Sequence, residues 1–280
     1  MNCRVEKSEI NGEIVCPPNK SYTHRAIFLA TLADGKSIIK NILKSGDTYS
    51  TINACKNFGA EIKDVGNDIT VNSTGELKLH SNTIDAANSG TTIRIATAIS
   101  TLSSDKIVLT GDSSLKKRPM QPLLDALESL DAKCSSSNGN PPISISGKIK
   151  GGEVKISGSV SSQFISALMI TAPKLEKGLI LNIQNKLVSK PYIDATIAAM
   201  KKFGAEVKIK TAYKKYIIDK QDYKSTTFAI PSDFSSLALL LSAAVLLGED
   251  ITIQISSGSM PQADEAIIDI LEIMGVVITL

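Results

Sequence analysis

The sequence lacks tryptophan and has few other aromatic residues, which limits the ligands it is suited to bind. Phenylalanine, tyrosine and tryptophan together make up 4% of the 280 residues. Proteins that bind single-stranded nucleic acids stack the bases on aromatic side chains, so this composition argues against that class. The net charge of +3 is small, and the lysines are scattered along the chain. We therefore expect no nucleic-acid partner.

Cysteine, histidine and long apolar runs are also scarce. The four cysteines, Cys3, Cys16, Cys55 and Cys134, have no paired spacing, and there are two histidines. This pattern predicts free thiols in a reducing compartment and no metal site. The longest apolar run, 237–247, contains a serine and is too short to span a bilayer. With no signal-peptide pattern at the start, the expectation is a cytoplasmic protein without a membrane segment.

The chain does contain a repeat of about seventy residues. The phrase FGAEI at 58–62 recurs as LDAKC at 130–134, as FGAEV at 203–207 and loosely as MGVVI at 274–278. Each copy closes a helical pattern, and in the clearest copies glycine follows where a helix end needs a left-handed residue. A second helical pattern lies upstream in each unit, with a strand pattern between the two. The units therefore read helix, strand, helix, strands, which predicts a repeated α/β architecture.

The repeat predicts element positions and a domain division. The first helices are predicted at 26–33, 93–99, 164–172 and 237–247, and the second helices at 48–58, 122–130, 193–203 and 263–274. The strands between them are predicted at 37–42, 106–110, 178–184 and 250–255. Three units make a complete domain at 18–227, and 1–17 plus 228–280 make a partial second one. The strand at 3–14 is predicted to join the sheet of the last unit. Because the fourth unit breaks off early in its pattern, the expectation is a fragment or a chain completed by another polypeptide.

The starts of several helices carry cations and hydroxyl groups. The segment 17–25, PPNKSYTHR, has Ser21 or Thr23 as its candidate N-cap, and Lys20 and Arg25 add charge to the positive end of the helix dipole. Similar sets occur at Asn88, Ser89, Gly90 and Thr91 with Arg94, at Ser161, Ser162 and Gln163, at Lys116, Lys117 and Arg118, and at Ser189, Lys190 and Tyr192. Each set alone is explained by a capped helix or a solvated face, and His24 by capping or packing. Together they predict a site for phosphate and carboxylate groups.

Five motifs of the chain occur in the order and spacing of one enzyme family. They are KSxxHR at 20–25, NSGTTIR at 88–94, KRPM at 117–120, SSQF at 161–164 and VSKPYID at 188–194. Over essentially its whole length the chain resembles the 5-enolpyruvylshikimate-3-phosphate synthase family. The resemblance implies the enolpyruvyl-transferase fold, an inside-out α/β barrel of two lobes with three repeats each. The second lobe would be incomplete here.

The family resemblance also implies an activity. Members are carboxyvinyltransferases of the shikimate pathway, which leads through chorismate to the aromatic amino acids. They transfer the enolpyruvyl group of phosphoenolpyruvate to the 5-hydroxyl of shikimate 3-phosphate and release phosphate through a tetrahedral adduct. The resemblance implies no metal, no cofactor and no covalent enzyme intermediate. It further implies small anionic substrates as the partners and a monomer when the protein is complete.

The resemblance assigns substrate contacts residue by residue. Ser161, Ser162 and Ser189 would hold the phosphate of shikimate 3-phosphate, Ser21 and Arg25 its carboxylate side, and Tyr192 its ring. Lys20, Gly90, Arg118 and Gln163 would contact phosphoenolpyruvate, and Asn88 completes the substrate-binding set. The family's catalytic Asp and Glu fall in the last third of its chains, beyond Leu280, so no catalytic residue is assigned. We expect weak binding of shikimate 3-phosphate and no turnover by this chain alone.

Two alternatives stay open from the sequence. One is a non-catalytic anion-binding fragment or half of a split protein. The other is the related UDP-N-acetylglucosamine enolpyruvyl transferase, which has Lys-Asn where this chain has Lys20 and Ser21 and carries a cysteine in the loop near Arg118. None of the four cysteines here lies in that loop.

Overall fold

The computed structural model describes residues 10–256 and 260–279, so residues 3–9 of the predicted first strand, with Cys3, lie outside it. The helices are α1 (Lys20–Leu32), α2 (Gly46–Asn57), α3 (Gly90–Ser100), α4 (Gln121–Glu128), α5 (Ser162–Thr171), α6 (Pro191–Lys202), α7 (Phe234–Leu247) and α8 (Ile267–Ile273). The first eight strands are β1 (Ile10–Val15), β2 (Ala33–Lys40), β3 (Glu61–Val65), β4 (Asp68–Thr74), β5 (Thr83–Asp85), β6 (Ile107–Thr110), β7 (Lys133–Ser137) and β8 (Asn140–Ser146). The remaining strands are β9 (Gly152–Ser157), β10 (Leu179–Gln184), β11 (Lys208–Thr211), β12 (Lys215–Ile218), β13 (Tyr223–Lys224), β14 (Thr227–Ala229) and β15 (Gly248–Gln254). Among residues 10–256 and 260–279, no helix has both the length and the apolar character of a membrane-spanning segment.

The predicted helix, strand, helix order is confirmed in all four units, and the strands after the second helix are present in the first three. The strand predicted after the second helix of the fourth unit is wrong for residues 276–279, which form none. Two helix starts are wrong by four residues or more. Helix α1 begins at Lys20, six residues before the predicted start, because Asn19 is its N-cap and not Ser21 or Thr23. The Asn19 backbone is extended, and its side-chain oxygen accepts a hydrogen bond from the Tyr22 N–H at 2.9 Å. Helix α8 begins at Ile267, whereas the prediction began at 263; Ala266 precedes the helix and offers no capping side chain.

The ends of the second helices follow the repeat. Gly59, Gly204 and Gly275 come just after α2, α6 and α8 with φ of 103°, 82° and 92°. This is the left-handed conformation that the glycines in the repeated phrase predict. Asp131 takes the same place after α4 with φ of 72°. The second unit therefore keeps the backbone geometry of the repeat without its glycine.

Three sheets link the first three units into a closed ring. The sheet orders are β13-β2-β4-β3 with β14 also beside β2, β5-β6-β8-β7, and β11-β12-β10-β9. In each sheet the last strand of one unit lies parallel to the first strand of the next: β5 beside β6, and β9 beside β10. Strands β13 and β14 of the third unit complete the pattern by pairing with β2 of the first.

The first strand pairs with the fourth unit in the same way. Strand β1 is parallel to β15, from Gly12 beside Ile251 to Val15 beside Gln254, which confirms the prediction for the described part of this strand. The two connecting segments run side by side: the Asn19 N–H donates to the Pro231 carbonyl and the Asp233 N–H donates to the Pro17 carbonyl, both at 2.8 Å. The start of α1 is thereby fixed against the start of α7.

Helices form the inside of the first three units. Every residue of α1 from Tyr22 to Leu32 is buried, and α3 and α5 are buried over most of their length. The strands β3, β7 and β11 expose most of their residues, so the sheets lie on the outside. Helices packed inside sheets are the inside-out arrangement that the family resemblance implied. In the fourth unit, by contrast, Leu237 is the one residue of α7 that is buried in the described structure.

Candidate functional site

The starts of helices α1, α2, α3 and α5 are linked by a series of side-chain contacts. The Lys20 ammonium at the start of α1 donates to Asp47 Oδ2 of α2 at 3.2 Å. Thr92 in the first turn of α3 has its Oγ1 3.4 Å from the Asp47 carbonyl oxygen. Arg94 then reaches from α3 to Gln163 at the start of α5. Four helix starts, with their free N–H groups and positive dipole ends, therefore lie at one end of the ring.

Lys20 is held loosely. Its side chain is 49% exposed and that of Asp47 is 35% exposed, so the ion pair lies largely in solvent. Exposed pairs of this kind contribute at most about 1 kcal/mol. Lys20 is therefore available to an anionic ligand at little cost.

Arg25 is a buried cation with most of its donors already used. Its Nε donates to Thr196 Oγ1 at 2.8 Å and its Nη1 to the Ser21 carbonyl at 3.0 Å. Its Nη2 donates to Ser166 Oγ at 3.3 Å and to the Tyr192 carbonyl at 3.2 Å. These bonds occupy four of the five guanidinium N–H groups. Burial lowers the pKa of Arg25 to about 10, which still leaves it charged near neutral pH.

His24 lies beneath the site in a chain of hydroxyl groups. Its Nδ1 is 2.6 Å from Thr51 Oγ1, which is 2.7 Å from Thr92 Oγ1. Thr92 in turn donates to Ser89 Oγ, the N-cap of α3, at 2.7 Å. Burial is the main cause that lowers the pKa of His24 to about 3, so the ring is neutral. The packing role predicted for His24 is confirmed by its full burial.

Asn88, Gly90 and Arg118 are brought together at the start of α3. The Arg118 Nη2 donates to Asn88 Oδ1 at 3.1 Å, and the Asn88 amide donates to Asp112 Oδ2 at 2.8 Å. A Cβ atom placed on Gly90 would lie 2.7 Å from Arg118 Nη1. Glycine at this position therefore lets the guanidinium lie directly on the helix start. By contrast, the neighbouring Lys116 and Lys117 are solvent-exposed, as expected for lysines on a solvated face of the protein.

Helix α5 begins with the predicted Ser161, Ser162 and Gln163. Ser161 is the N-cap and accepts a hydrogen bond from the Gln163 N–H at 3.2 Å, and Ser162 is buried. Arg94 Nη1 donates to Gln163 Oε1 at 2.6 Å and to Ser161 Oγ at 3.5 Å. The sequence placed Arg94 one turn after the α3 motif but gave it no role among the substrate contacts. Only the tertiary structure shows that it reaches the next helix start.

Tyr192 and Ser189 mark the start of α6 on the other side of Arg25. Ser189 is exposed and has a left-handed backbone with φ of 56°. Tyr192 is partly exposed and lines a cavity of about 390 Å³ together with Lys20 and Ser21. The fourth unit contributes Asp233, Ser235, Ser236 and Gln262 to the same cavity. The predicted residues therefore form two neighbouring groups, one along this cavity and the other around Arg94 and Arg118.

The second group, around Arg94 and Arg118, carries positive charge that its own members do not neutralise. Burial first and the charge of Arg118 second lower the pKa of Arg94 to about 10. A partly buried guanidinium that is repelled by a second one favours an anion nearby. A larger cavity of about 630 Å³ among α7, β15 and α8 has mainly aliphatic walls without a lysine or arginine, so it does not suit an anion.

The comparisons with known proteins agree with the geometry. Residues 5–280 match the family model for EPSP synthase (3-phosphoshikimate 1-carboxyvinyltransferase). The chain is 57% identical over 280 residues to a 3-phosphoshikimate 1-carboxyvinyltransferase of Nitrosopumilus maritimus (strain SCM1), covering 100% of this chain and 66% of the relative. It is 48% identical over 287 residues to the protein of that name from Methanosarcina mazei (strain ATCC BAA-159 / DSM 3647 / Goe1 / Go1 / JCM 11833 / OCM 88), covering 100% of this chain and 66% of the relative. The names of these relatives do not support the alternative that the chain is a UDP-N-acetylglucosamine enolpyruvyl transferase.

A solved structure shows the fold. The EPSP synthase from Acinetobacter baumannii superposes with a TM-score of 0.81 at 24% identity, covering 96% of this chain and 61% of that chain. The predicted enolpyruvyl-transferase fold is thereby confirmed. The present chain spans about two thirds of the length of the curated relatives it matches. The match of the family model to nearly every residue shows that the chain belongs to the EPSP synthase family.

Proposed function

We propose that this chain binds shikimate 3-phosphate and phosphoenolpyruvate at the candidate site and takes part in enolpyruvyl transfer between them. The observation that carries the proposal is the meeting of four helix starts with the cations Lys20, Arg25, Arg94 and Arg118 in a member of this family. Both ligands are polyanions, and a water-poor site lined by oriented N–H donors and cations stabilises such charge.

The cavity beside Tyr192 is assigned to the ring and the carboxylate side of shikimate 3-phosphate, because Ser21 and Tyr192 line it. The phosphate is assigned to serines outside this cavity, as the family resemblance implies. Ser161, Ser162 and Ser189 would hold its phosphate, Ser21 and Arg25 its carboxylate side, and Tyr192 its ring. The four internal hydrogen bonds of Arg25 leave one N–H donor for the ligand. Arg25 would therefore act mainly by its charge and by holding the starts of α1 and α6 in place.

The group around Arg118 is assigned to phosphoenolpyruvate. Gly90 lets the Arg118 guanidinium lie on the start of α3, where Asn88 holds it. Lys20 and Arg118 would contact the phosphate, while Gln163 adds uncharged donors. An arginine suits this place because its planar fork matches two phosphate oxygens.

The same proposal covers the domain division, the location and the oligomeric state. A domain at 18–227 is supported by the return of β13 to β2, and the pairing of β14 with β2 extends this domain to Ala229. A second part at 1–17 plus the residues after this boundary is supported by the pairing of β1 with β15. A cytoplasmic location is supported by Cys16 and Cys55, which are buried free thiols. A monomer is proposed from the family resemblance alone.

Calorimetric titration with shikimate 3-phosphate tests the proposed binding. We expect saturable binding by the wild-type chain and none of UDP-N-acetylglucosamine. Ser162→Ala should weaken the binding about tenfold or more, since one hydrogen bond to a charged group is lost. Ser159→Ala removes an exposed serine just ahead of the helix and should bind as the wild type. A folded wild-type chain that gives no heat with shikimate 3-phosphate would contradict the proposal.

The expectation that the chain does not turn over alone is tested on the same samples. We expect no steady-state phosphate release when both ligands are added to the purified chain. Sustained release above the rate of a Ser162→Ala control would contradict this expectation while supporting the assigned ligands.

A further inference from the structure

Arg94 and Gln163 form a contact that the assigned ligand contacts do not explain. Arg94 Nη1 lies 2.6 Å from Gln163 Oε1, which joins the second turn of α3 to the first turn of α5. The contact is short for an N–H···O bond, as expected for a charged donor. It lies at the meeting point of two helix starts in the candidate site.

The chemistry of the two groups determines which way the amide faces. A guanidinium has five N–H donors and no acceptor, so the amide oxygen and not the amide nitrogen must face Arg94. The amide NH₂ group then points the other way. No described residue accepts a hydrogen bond from Gln163 Nε2, although Gln163 is only partly exposed. Two N–H donors are therefore left for a ligand.

Arg94 is itself held in place on several sides. Its guanidinium lies over the Phe164 ring, 4.9 Å from the ring centroid. Its Nη1 also approaches Ser161 Oγ, the atom that accepts the Gln163 backbone N–H. Both the backbone and the side chain of Gln163 are thus fixed by one small cluster. The Arg94 Nε is buried and has no hydrogen-bond partner in the described structure. Placing the guanidinium here therefore has a free-energy cost that its own hydrogen bonds do not fully offset.

We propose that Arg94 is a positioning residue that fixes the Gln163 amide with its NH₂ group toward the ligand cleft. The inference rests on the proposed function for the identity of the ligand, phosphoenolpyruvate, whose anionic oxygens accept such donors. The orientation itself follows from the contact with Arg94 and holds in the unliganded protein. A free glutamine side chain would present its oxygen as readily as its nitrogen and would repel an anion in half of its orientations.

A competing explanation is that Arg94 acts on the ligand by its charge alone. Arg94→Lys keeps the charge but replaces the planar fork with a flexible ammonium group. Because an ammonium group also has donors and no acceptor, this variant separates the two explanations only when its Gln163 signal shows that the orientation is lost. Arg94→Met removes both the charge and the donors while keeping an unbranched apolar side chain against Phe164. Lys116→Met removes an exposed cation outside the cluster and serves as the matched control.

Nuclear magnetic resonance of the ¹⁵N-labelled chain reads the orientation without any ligand. The Gln163 side-chain NH₂ signal is assigned by its loss in Gln163→Met. We expect a shifted, slowly exchanging signal in the wild type and in Lys116→Met. In Arg94→Met the signal should move to the position of a solvated glutamine, and the signal in Arg94→Lys shows whether an ammonium group still holds the amide oxygen. An unchanged signal in folded Arg94→Met would overturn the proposal.

Calorimetric titration with phosphoenolpyruvate in the presence of shikimate 3-phosphate measures how the orientation of Gln163 affects the affinity for the ligand. Arg94→Met should bind phosphoenolpyruvate about tenfold more weakly than the wild type, and so should Arg94→Lys if its Gln163 signal is that of a solvated glutamine. Binding by Arg94→Lys equal to that of the wild type, with a solvated Gln163 signal, would overturn the proposal, since charge alone would then suffice. If the wild type binds neither ligand but its Gln163 signal depends on Arg94, the proposed function fails and the positioning role stands.

Gln163→Glu provides a test that does not disturb Arg94. Its carboxylate still accepts the Arg94 hydrogen bond, so the protein should unfold at the same temperature as the wild type or a higher one. The two ligand-facing N–H donors are replaced by an oxygen, so phosphoenolpyruvate binding should fall by more than about tenfold. Unaltered binding in this variant would overturn the proposal even if the Arg94 variants failed to fold.

Discussion

Single residues beneath the site are kept in one protonation state by burial. His24 is surrounded by α1, α2 and α3 and is neutral because an imidazolium would lose its hydration there. Lys20 and Arg25 repel a proton from the ring and add to this effect, whereas Asp47 opposes it. Arg25 remains charged because its hydrogen bonds replace most of the water that burial removes. The hydroxyl chain can therefore hold the start of α3 without adding a charge to it.

His24 should make the free energy of unfolding depend on pH. Its pKa is about 3 in the folded protein against 6.5 ordinarily, so between these values the unfolded chain binds more protons. Stability is therefore highest above pH 6.5 and falls as the pH decreases, by up to about 1.4 kcal/mol per pH unit from this residue. In His24→Gln this contribution is absent. Urea denaturation at about pH 5, 6 and 7 should show a smaller pH dependence in the variant.

The control for this prediction is the other histidine. His80 is exposed, and His80→Gln should leave the pH dependence of unfolding as in the wild type. Parallel pH profiles for the wild type and His24→Gln would show that the buried ring does not cause the dependence.

At the scale of elements, the repeat is a backbone geometry that different residues satisfy. Helices α2, α6 and α8 end in glycine with a positive φ, and α4 ends in Asp131 with the same geometry. Left-handed backbone costs an ordinary residue roughly 1–2 kcal/mol, although Asp and Asn tolerate it better than most. At this position of the repeat, the second unit therefore carries a strain that the other units avoid.

Asp131→Gly should stabilise the protein, whereas Gly204→Ala should destabilise it. The first change relieves the left-handed strain and is expected to gain up to about 1 kcal/mol after the entropic cost of glycine. The second introduces the strain at φ of 82° and places a Cβ 3.2 Å from the Lys224 side chain, for a loss of about 1–2 kcal/mol. Urea denaturation midpoints measure both changes.

Gly46→Ala is the matched control for the glycine change. Gly46 opens α2 without a positive φ, and a Cβ there would meet no atom within 4 Å. The variant is expected to lie within about 0.5 kcal/mol of the wild type. Equal losses in Gly46→Ala and Gly204→Ala would contradict the explanation by backbone conformation.

At the scale of the whole molecule, Asn19 is one of the side chains that connect the ring of three units to the fourth; the Tyr22 hydroxyl, which donates to the Pro261 carbonyl, is another. The Asn19 oxygen caps α1, while its amide nitrogen donates to Asp233 Oδ1 at 3.3 Å and Gln262 Oε1 at 3.1 Å. Asp233 is in turn the N-cap of α7. The starts of α1 and α7 thus share one hydrogen-bond network beside the cavity assigned to shikimate 3-phosphate.

Asn19→Ala should loosen the fourth unit as well as α1. Loss of the cap alone costs about 1 kcal/mol, and Asp233 and Gln262 also lose their common donor. Hydrogen exchange followed by mass spectrometry should show faster exchange in peptides from both α1 and α7. Ser45→Ala removes the N-cap of α2 at a similar cost and should leave exchange in α7 unchanged. Equal exchange in α7 for the two variants would contradict the coupling through Asn19.

The sequence by itself determined the elements, their repeat and most residues of the candidate site. These features are local: apolar periodicity marks a helix, glycine marks its left-handed end, and hydroxyl groups mark its start. Where several residues competed for one local role the prediction was wrong, as with Ser21 and Thr23 against Asn19 as the cap of α1. The family resemblance added the assigned roles.

Only the tertiary structure decided how distant parts meet. The pairing of β14 with β2 joins residues 227–229 to 38–40, and no local pattern encodes a contact across that separation. For the same reason, the sequence could not predict the internal hydrogen bonds of Arg25 or the contact of Arg94 with Gln163. Each depends on how neighbouring helices pack. Periodicity shows which face of a helix is buried, but the groups that face one another across the interior are decided by the packing of the whole chain.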